Sequence, residues 1–306
     1  MKNVLVIGGS VFSGRVFSIR ASKSEEFSLH VVNRGNFPME LTGVTQYKCN
    51  RHSPRMIARL VPDIKYDALV DFCGYSPGEI RPVIEALKGR IKHYIFFSTA
   101  RVYADTNGFA DESSPLADNA TPVDDLVSEL VNNKIRLEQE LKESCAEFGI
   151  NYTILRPAMM YGPYNNAARE SYFVRLIARN EPVPNPIDAT GRFNFIYVMD
   201  VADAVMTCIG NEKAYNQIFN LAGDESLTYP QFISTLESCS AEPFEVREVT
   251  VSQAYEESIP LPFPLTENIL IDGKKFADTF SFSYTPFYEG FKETFSIFLS
   301  LYSTDF

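Results

Sequence analysis

The residues best suited to chemistry are the glycines that follow the first apolar run. Val4-Leu5-Val6-Ile7 leads directly into Gly8-Gly9-Ser10-Val11-Phe12-Ser13-Gly14, where a helix is predicted to begin. Gly8 permits a tight turn, its glycine neighbour lets backbone come close to a diphosphate, and Gly14 lets the helix pack on the strand. The N–H groups at the helix start then face the phosphates. A strand before and a helix after turn this spacing from a weak pattern into a dinucleotide-binding one, in preference to a plain strand-to-helix turn. Val11 stands where the G-x-x-G-x-x-G spacing has its central glycine, so the backbone approach is expected to be less close there.

The second apolar run ends in Val32-Asn33-Arg34-Gly35. An acid at such a strand end accepts hydrogen bonds from the adenosine ribose of NAD, whereas an arginine offers a planar fork to a 2′-phosphate. Arg34 and the uncharged Asn33 therefore favour NADP(H) over NAD(H), with Arg15 as a second phosphate partner or a solvated surface residue. Asp71, in the run 68–72, is placed with the cofactor-binding residues.

These residues require a scaffold of parallel strands. Apolar runs at 4–7, 29–32, 68–72 and 93–97 alternate with segments at 13–22, 54–61 and 77–87 that carry apolar residues near a 3.6 period. The two later segments open with a proline at a predicted helix start. A long amphipathic helix follows at 123–148, then a strand at 152–155. Alternation of this kind specifies an α/β fold with a Rossmann-type, doubly wound parallel sheet. The pattern becomes irregular after Arg156-Pro157. Residues 1–160 read as the dinucleotide-binding domain, 193–222 as a return to its sheet, and 161–192 with 223–306 as a smaller substrate lobe. That lobe includes a helix at 172–179, an apolar stretch at 244–251 and a terminal helix near 288–302. The proline cluster 260–264 reads as a rigid surface loop.

At 306 residues, 45% hydrophobic and 22% charged, the chain has the composition of an ordinary globular protein. A net charge of -11 offers no global basic field for nucleic acid. No apolar stretch reaches the roughly 18 residues a membrane span needs, and together with the absence of a charged leader this points to the cytoplasm. Cys49, Cys73, Cys145, Cys208 and Cys239 show no C-x-x-C spacing and read as reduced, buried thiols. His30, His52 and His93 have no metal-ligand spacing, so no metal is expected. A Walker loop is absent from the sequence.

Taken in order, the glycine loop, Phe96-Phe97-Ser98-Thr99-Ala100-Arg101-Val102-Tyr103, Leu155-Arg156-Pro157, Tyr161-Gly162-Pro163, the stretch Phe195-Ile196-Tyr197-Val198-Met199-Asp200-Val201-Ala202, and Phe219-Asn220-Leu221-Ala222-Gly223 span almost the whole chain. In these motifs the chain resembles the extended short-chain dehydrogenase/reductases, the NAD-dependent epimerase/dehydratase family. Asn33-Arg34-Gly35 and the run 163–171 look more like an atypical branch that includes chloroplast RNA-binding relatives. The resemblance implies a Ser or Thr, a Tyr, and a Lys four residues after the Tyr. Lysine would hold the nicotinamide ribose and lower the tyrosine pKa, so that the phenol exchanges a proton with the substrate oxygen.

By that resemblance Thr99 matches the Ser/Thr and Lys134 the lysine, which puts Leu130 where the tyrosine belongs. Losing a positioned general acid typically lowers the rate by about 10² to 10⁴. Tyr103 and Tyr161, both in motif-bearing loops, are the candidates to substitute. Tyr288 and Lys292 form the sequence's only Tyr-x-x-x-Lys, far along the chain, and read as chance. Read without the resemblance, Lys134 would be a solvated helical lysine paired with Glu138, and Thr99 a strand-end residue satisfying backbone groups. On the substrate side, Met159 replaces the asparagine that meets the substrate diphosphate in sugar-nucleotide epimerases. Tyr161, Arg169 and Arg192 remain candidate substrate contacts, the arginines for a phosphate or carboxylate, and Asp200 reads as a helix cap.

Two functions are expected. The first is an NAD(P)-dependent oxidoreductase or epimerase-like enzyme acting on a carbohydrate or nucleotide-sugar, with Thr99 and Lys134 in its site. The second is a catalytically silent dinucleotide-binding sensor or partner-binding protein, with RNA as a partner disfavoured by charge. The resemblance also implies a homodimer packed through the helices at 77–87 and 123–148.

Overall fold

In the computed structural model, which describes residues 1–118 and 126–303, the alternating apolar runs become β1 (Lys2–Ile7), α1 (Phe12–Ser22), β2 (Phe27–Asn33), β3 (Val44–Lys48), α2 (Pro54–Leu60), β4 (Ala68–Asp71), α3 (Arg81–Ala86) and β5 (His93–Phe97). Then come α4 (Leu126–Phe148), β6 (Asn151–Pro157), β7 (Met159–Tyr161), α5 (Glu170–Ala178), β8 (Val183–Pro186), β9 (Phe193–Tyr197), α6 (Val198–Cys208) and β10 (Gln217–Leu221). The remainder forms β11 (Ser226–Leu227), α7 (Tyr229–Cys239), β12 (Val246–Val249), α8 (Val251–Glu256), α9 (Lys274–Phe280) and α10 (Phe287–Ser303). The expected start of α4 at Val123 lies outside the described residues.

Seven strands form one sheet in the order β10-β6-β5-β4-β1-β2-β3, and every pairing in it is parallel. The period of two along β1 sends Val4 and Val6 to one face and Leu5 and Ile7 to the other. The first pair joins a core with Val16 and Phe17 of α1 and Val201 and Val205 of α6. The second pair joins Ile57 of α2, Val83 and Ile84 of α3, and Leu137 and Leu141 of α4. A strand covered on both faces has no use for polar side chains, which is why the runs at 4–7 and 68–70 are continuously apolar.

Three expectations need correction. The segment 77–87 does not begin its helix at Pro77. α3 starts at Arg81, because Glu140 of α4 accepts from the backbone N–H groups of Gly78 at 2.6 Å, Ile80 at 3.0 Å and Arg81 at 2.8 Å. A carboxylate there satisfies the otherwise unpaired N–H groups of the helix start. The strand at 193–197 does not return to the large sheet. β10 already occupies the free edge of β6, so β9 pairs with β7 and β11 in a separate three-stranded sheet. β3 and α7 have no counterpart among the expected elements. β3 is an edge strand with no fully buried residue, and α7 opens on a Thr228/Gln231 capping box whose Thr-x-x-Gln spacing the sequence carried.

β8 and β12 form a third, two-stranded parallel sheet. Outside the large sheet, Tyr161 of β7 and Phe195 of β9 meet Phe287 of α10 at ring distances of 5.1 and 5.0 Å, and these rings belong to the same core as Val4, Val6 and Phe17. Among the described residues no helix is long and apolar enough to cross a membrane.

Candidate functional site

Two adjacent carboxyl ends, those of β1 and β4, mark the point where the strand order reverses and where ligands of open parallel sheets bind. A crevice of about 300 Å³ opens there, lined by Gly8, Gly9, Ser10 and Val11, by Asn33 and Arg34, and by Arg51, Phe72, Cys73, Tyr75 and Glu79 among others. Gly8 and Gly9 take positive φ angles of 99° and 72°. Gly8 N–H donates to Val32 O at 2.9 Å, locking the turn onto β2. A Cβ on Gly14 would stand 2.8 Å from Gly9 Cα and 2.9 Å from Gly9 N, so α1 packs directly on the turn. The turn continues through Phe12, held at φ 39°. Val11, in the central position, is 43% exposed at the N-cap of α1.

At the β2 end Asn33 and Arg34 have different tasks. Asn33 is buried, its Oδ1 accepting from Gly35 N–H at 2.8 Å and from Gln46 Nε2 at 2.7 Å, so it shapes the turn. Arg34 is exposed on the crevice. Arg15 lies in α1, with its guanidinium 5.4 Å from the Tyr164 ring centre.

Asp71 must be revised as a direct cofactor ligand. It is wholly buried and accepts from Arg51 Nη1 at 2.8 Å, Arg51 Nη2 at 3.0 Å, the Tyr94 hydroxyl at 2.7 Å and Cys73 N–H at 3.0 Å. The crevice is instead lined by its partner, Arg51, which sequence reading missed. Burial works against the Arg51 charge, but Asp71 and the neighbouring groups together outweigh it and hold the guanidinium firmly protonated. Arg51 also donates to Glu79 O at 2.9 Å. The signal that could have found Arg51 is its place immediately beyond β3, at the same sheet end as the glycine loop. Burial, followed by the Asp71 charge, pushes Cys73 up to about 12, so its thiol stays protonated and unreactive.

Lys134 is neither solvated nor paired with Glu138. It is 5% exposed, and Nζ donates to Gly74 O beyond β4 at 2.8 Å and to Phe97 O at the end of β5 at 2.7 Å. Its ammonium lies 4.8 Å from the Phe96 ring centre and 5.1 Å from that of Tyr75. Burial pushes its pKa down to about 8. Glu138 belongs to Arg156, with Arg156 Nε to Glu138 Oε1 at 3.0 Å and Nη2 to Oε2 at 2.5 Å, both side chains buried. Ser98 Oγ donates to the same carboxylate at 2.6 Å.

Thr99 comes directly after β5 and Ser98, half-buried, its Oγ1 accepting from Arg101 N–H at 3.3 Å. Leu130, one helical turn before Lys134, is 41% exposed. The two tyrosines held in reserve face inward. The Tyr103 hydroxyl donates to Asn220 Oδ1 at 2.7 Å and accepts from Arg156 Nη1 at 3.0 Å, and burial raises its pKa. Tyr161 is 2% exposed, its hydroxyl 3.4 Å from Phe287 O, and burial raises its pKa strongly. Both hydroxyls are hydrogen-bonded to partners within the fold.

The two arginines of the substrate side part company. Arg169, half-buried ahead of α5, places Nη1 3.5 Å from Met160 O. Arg192 is exposed and donates to Ser226 Oγ at 2.6 Å, on the β9–β11 sheet. Asp200 is not a cap for its own helix, since it binds Thr285 N–H at 2.8 Å and Thr285 Oγ1 at 2.7 Å. Among the described residues no group of His, Cys, Asp and Glu could hold a metal ion.

Comparison with known proteins bears on the whole arrangement. A model of the NAD dependent epimerase/dehydratase family matches residues 4–222. The chain is 27% identical over 242 residues to the chloroplast stem-loop binding protein of 41 kDa b of Arabidopsis thaliana, covering 74% of this chain and 60% of that one. It is 23% identical over 161 residues to the UDP-glucose 4-epimerase of Vibrio cholerae, covering 53% and 47% respectively. The chain thus spans roughly half the length of the curated relatives it matches. Its fold is that of the UDP-glucuronic acid 4-epimerase of Bacillus cereus, solved in complex with UDP-glucuronic acid and NAD, with a TM-score of 0.76 at 16% identity over 98% of this chain and 99% of that one.

Proposed function

Since the chain belongs to the NAD dependent epimerase/dehydratase family, we propose that it binds a pyridine dinucleotide, NADP(H) in preference to NAD(H), and acts as an oxidoreductase or epimerase-like enzyme on a carbohydrate or nucleotide-sugar. The residues present fit such a group. The positive-φ turn at Gly8 and Gly9 and the close seat of Gly14 on Gly9 bring the start of α1 to the crevice, which continues toward Arg34 and Arg51. Arg34 would take the adenosine 2′-phosphate with its planar fork, and Arg51 would add positive charge beside it. The dinucleotide, when bound, supplies a hydride acceptor and donor.

The observation that carries the reading is Lys134, buried and aimed by two backbone carbonyls at the carboxyl ends of β4 and β5, at the same end of the sheet as Thr99. An ammonium has three donors. Two are held by Gly74 O and Phe97 O, which leaves the third for a ribose hydroxyl. Thr99 Oγ1 would hold the substrate oxygen. With Leu130 in place of a phenol, proton exchange is expected to be slower by about 10² to 10⁴ than in a tyrosine-bearing site.

Calorimetric titration with NADPH and NADH, followed by a redox screen over sugars and nucleotide-sugars, tests this reading. Binding of NADPH at least about tenfold tighter than NADH is the expected result, and failure of both to bind overturns it. A second reading, a catalytically silent cofactor sensor or partner-binding protein, is favoured by one observation: Leu130 is unreplaced, because Tyr103 and Tyr161 are tied inward. RNA is the weaker partner for a chain of charge -11. Turnover by the unmodified protein in the redox screen would refute the silent form. In either form we place the chain in the cytoplasm, with its thiols reduced.

A further inference from the structure

β5 and β6 are parallel neighbours, with Ser98 N–H donating to Leu155 O at 2.8 Å. Thr99 and Arg101, just past β5, therefore emerge at the same sheet end as Met159 and Met160, just past β6. Arg169 reaches back to that end from the start of α5, its Nη1 3.5 Å from Met160 O. Arg101 is exposed there. Among the described residues no carboxylate forms an ion pair with either guanidinium. Glu170, next to Arg169 in sequence, is turned away, its oxygens accepting from Asn165 Nδ2 at 2.9 and 3.0 Å and from Gly162 N–H at 3.1 Å.

Two guanidinium groups at one end of the sheet, neither with an ion-pair partner among the described residues and one of them half-buried, form an arrangement that a folded protein does not keep for stability. Burial lowers the pKa of Arg169, Glu170 opposes that shift, and the charge of Arg101 adds to it. The missing component is an anion. A guanidinium fork matches the paired oxygens of a carboxylate or a phosphate.

Resting on the dinucleotide-dependent reading above, we propose that Arg101 and Arg169 receive an anionic group on the sugar portion of the substrate, beside the carbon that Thr99 addresses. The chain then acts on an acidic or phosphorylated carbohydrate in preference to its neutral counterpart.

The test is calorimetric titration of the full chain, with and without NADPH, using two matched pairs of probes. UDP-glucuronate against UDP-glucose isolates a carboxylate, and glucose 6-phosphate against glucose isolates a phosphate. At least one anionic probe should bind about tenfold or more tightly than its neutral partner, equivalent to ~1.4 kcal/mol. R101A and R169Q should each abolish most of that preference, and R169K should retain part of it. Circular dichroism reports whether each variant folds; should R169Q not fold, R101A, altered at an exposed side chain, decides alone. Equal affinities within both pairs, or a preference that survives R101A, overturns the inference. If NADPH binds normally while no preference appears, this inference alone fails. If NADPH does not bind, the dinucleotide reading fails, while an arginine-dependent preference measured without it still supports the anion site and its absence overturns that too.

Discussion

At the scale of single residues, Lys134 shows how burial changes the chemistry of a side chain. In the unfolded chain its amine holds a proton up to the ordinary lysine value of 10.5, whereas in the folded protein burial lowers that value to about 8. Between those two pH values unfolding takes up a proton, so the lysine's contribution becomes more favourable as pH rises across that window. Methionine cannot titrate. The stability of the wild type relative to K134M, followed by urea denaturation from pH 7 to 10.5, should therefore rise by about 3 kcal/mol. A flat difference would mean that the ammonium is well solvated. Arg34 makes a second prediction at this scale. R34A should weaken NADPH by roughly tenfold to a hundredfold, the worth of charge-assisted hydrogen bonds, and leave NADH nearly unchanged in the same calorimetric titration. Equal losses for both cofactors would place the 2′-phosphate elsewhere.

At the scale of elements, two contacts position the site. The first is the seat of α1 on the glycine turn. G14A would drive a Cβ into Gly9 backbone, which has no flexible end to give way. Dinucleotide affinity should fall by at least about tenfold in G14A, while far-ultraviolet circular dichroism keeps its shape. Unchanged affinity would show that the helix start does not hold the diphosphate. The second is the buried Glu138–Arg156 pair, which ties α4 to β6 and, through Ser98 and Tyr103, to the segment carrying Thr99. Removing one partner leaves an uncompensated buried charge, so E138A should lower stability by about 3 to 5 kcal/mol. Chemical denaturation measures it, and a loss under ~1 kcal/mol would mean water replaces the carboxylate.

For the whole molecule, the aromatic seam decides how the smaller region behaves. Phe195, Phe232, Phe287 and Phe291 join the same core as Val4, Val6 and Phe17 of the sheet domain. With a shared core the two parts should unfold together, so near-ultraviolet and far-ultraviolet melting curves are expected to coincide. F287A should lower stability by about 3 to 5 kcal/mol through the cavity it leaves, and should do so without splitting the transition. Two separated transitions would show that the smaller region is an independent unit.

The order of motifs and the continuous apolar runs were enough to read the parallel sheet and the glycine turn, because strands buried on both faces and residues forced to positive φ leave a direct mark on composition. Lys134 and Thr99 were legible only through family spacing. What tertiary structure alone decided lies in pairs distant along the chain: that Asp71 is consumed by Arg51 twenty residues earlier, that Glu138 goes to Arg156 and leaves Lys134 to backbone carbonyls, and that Tyr103 and Tyr161 turn inward. The physical reason is common to all three. A polar side chain's chemistry depends on which partner reaches it once water is gone, and no local pattern in the sequence records that choice.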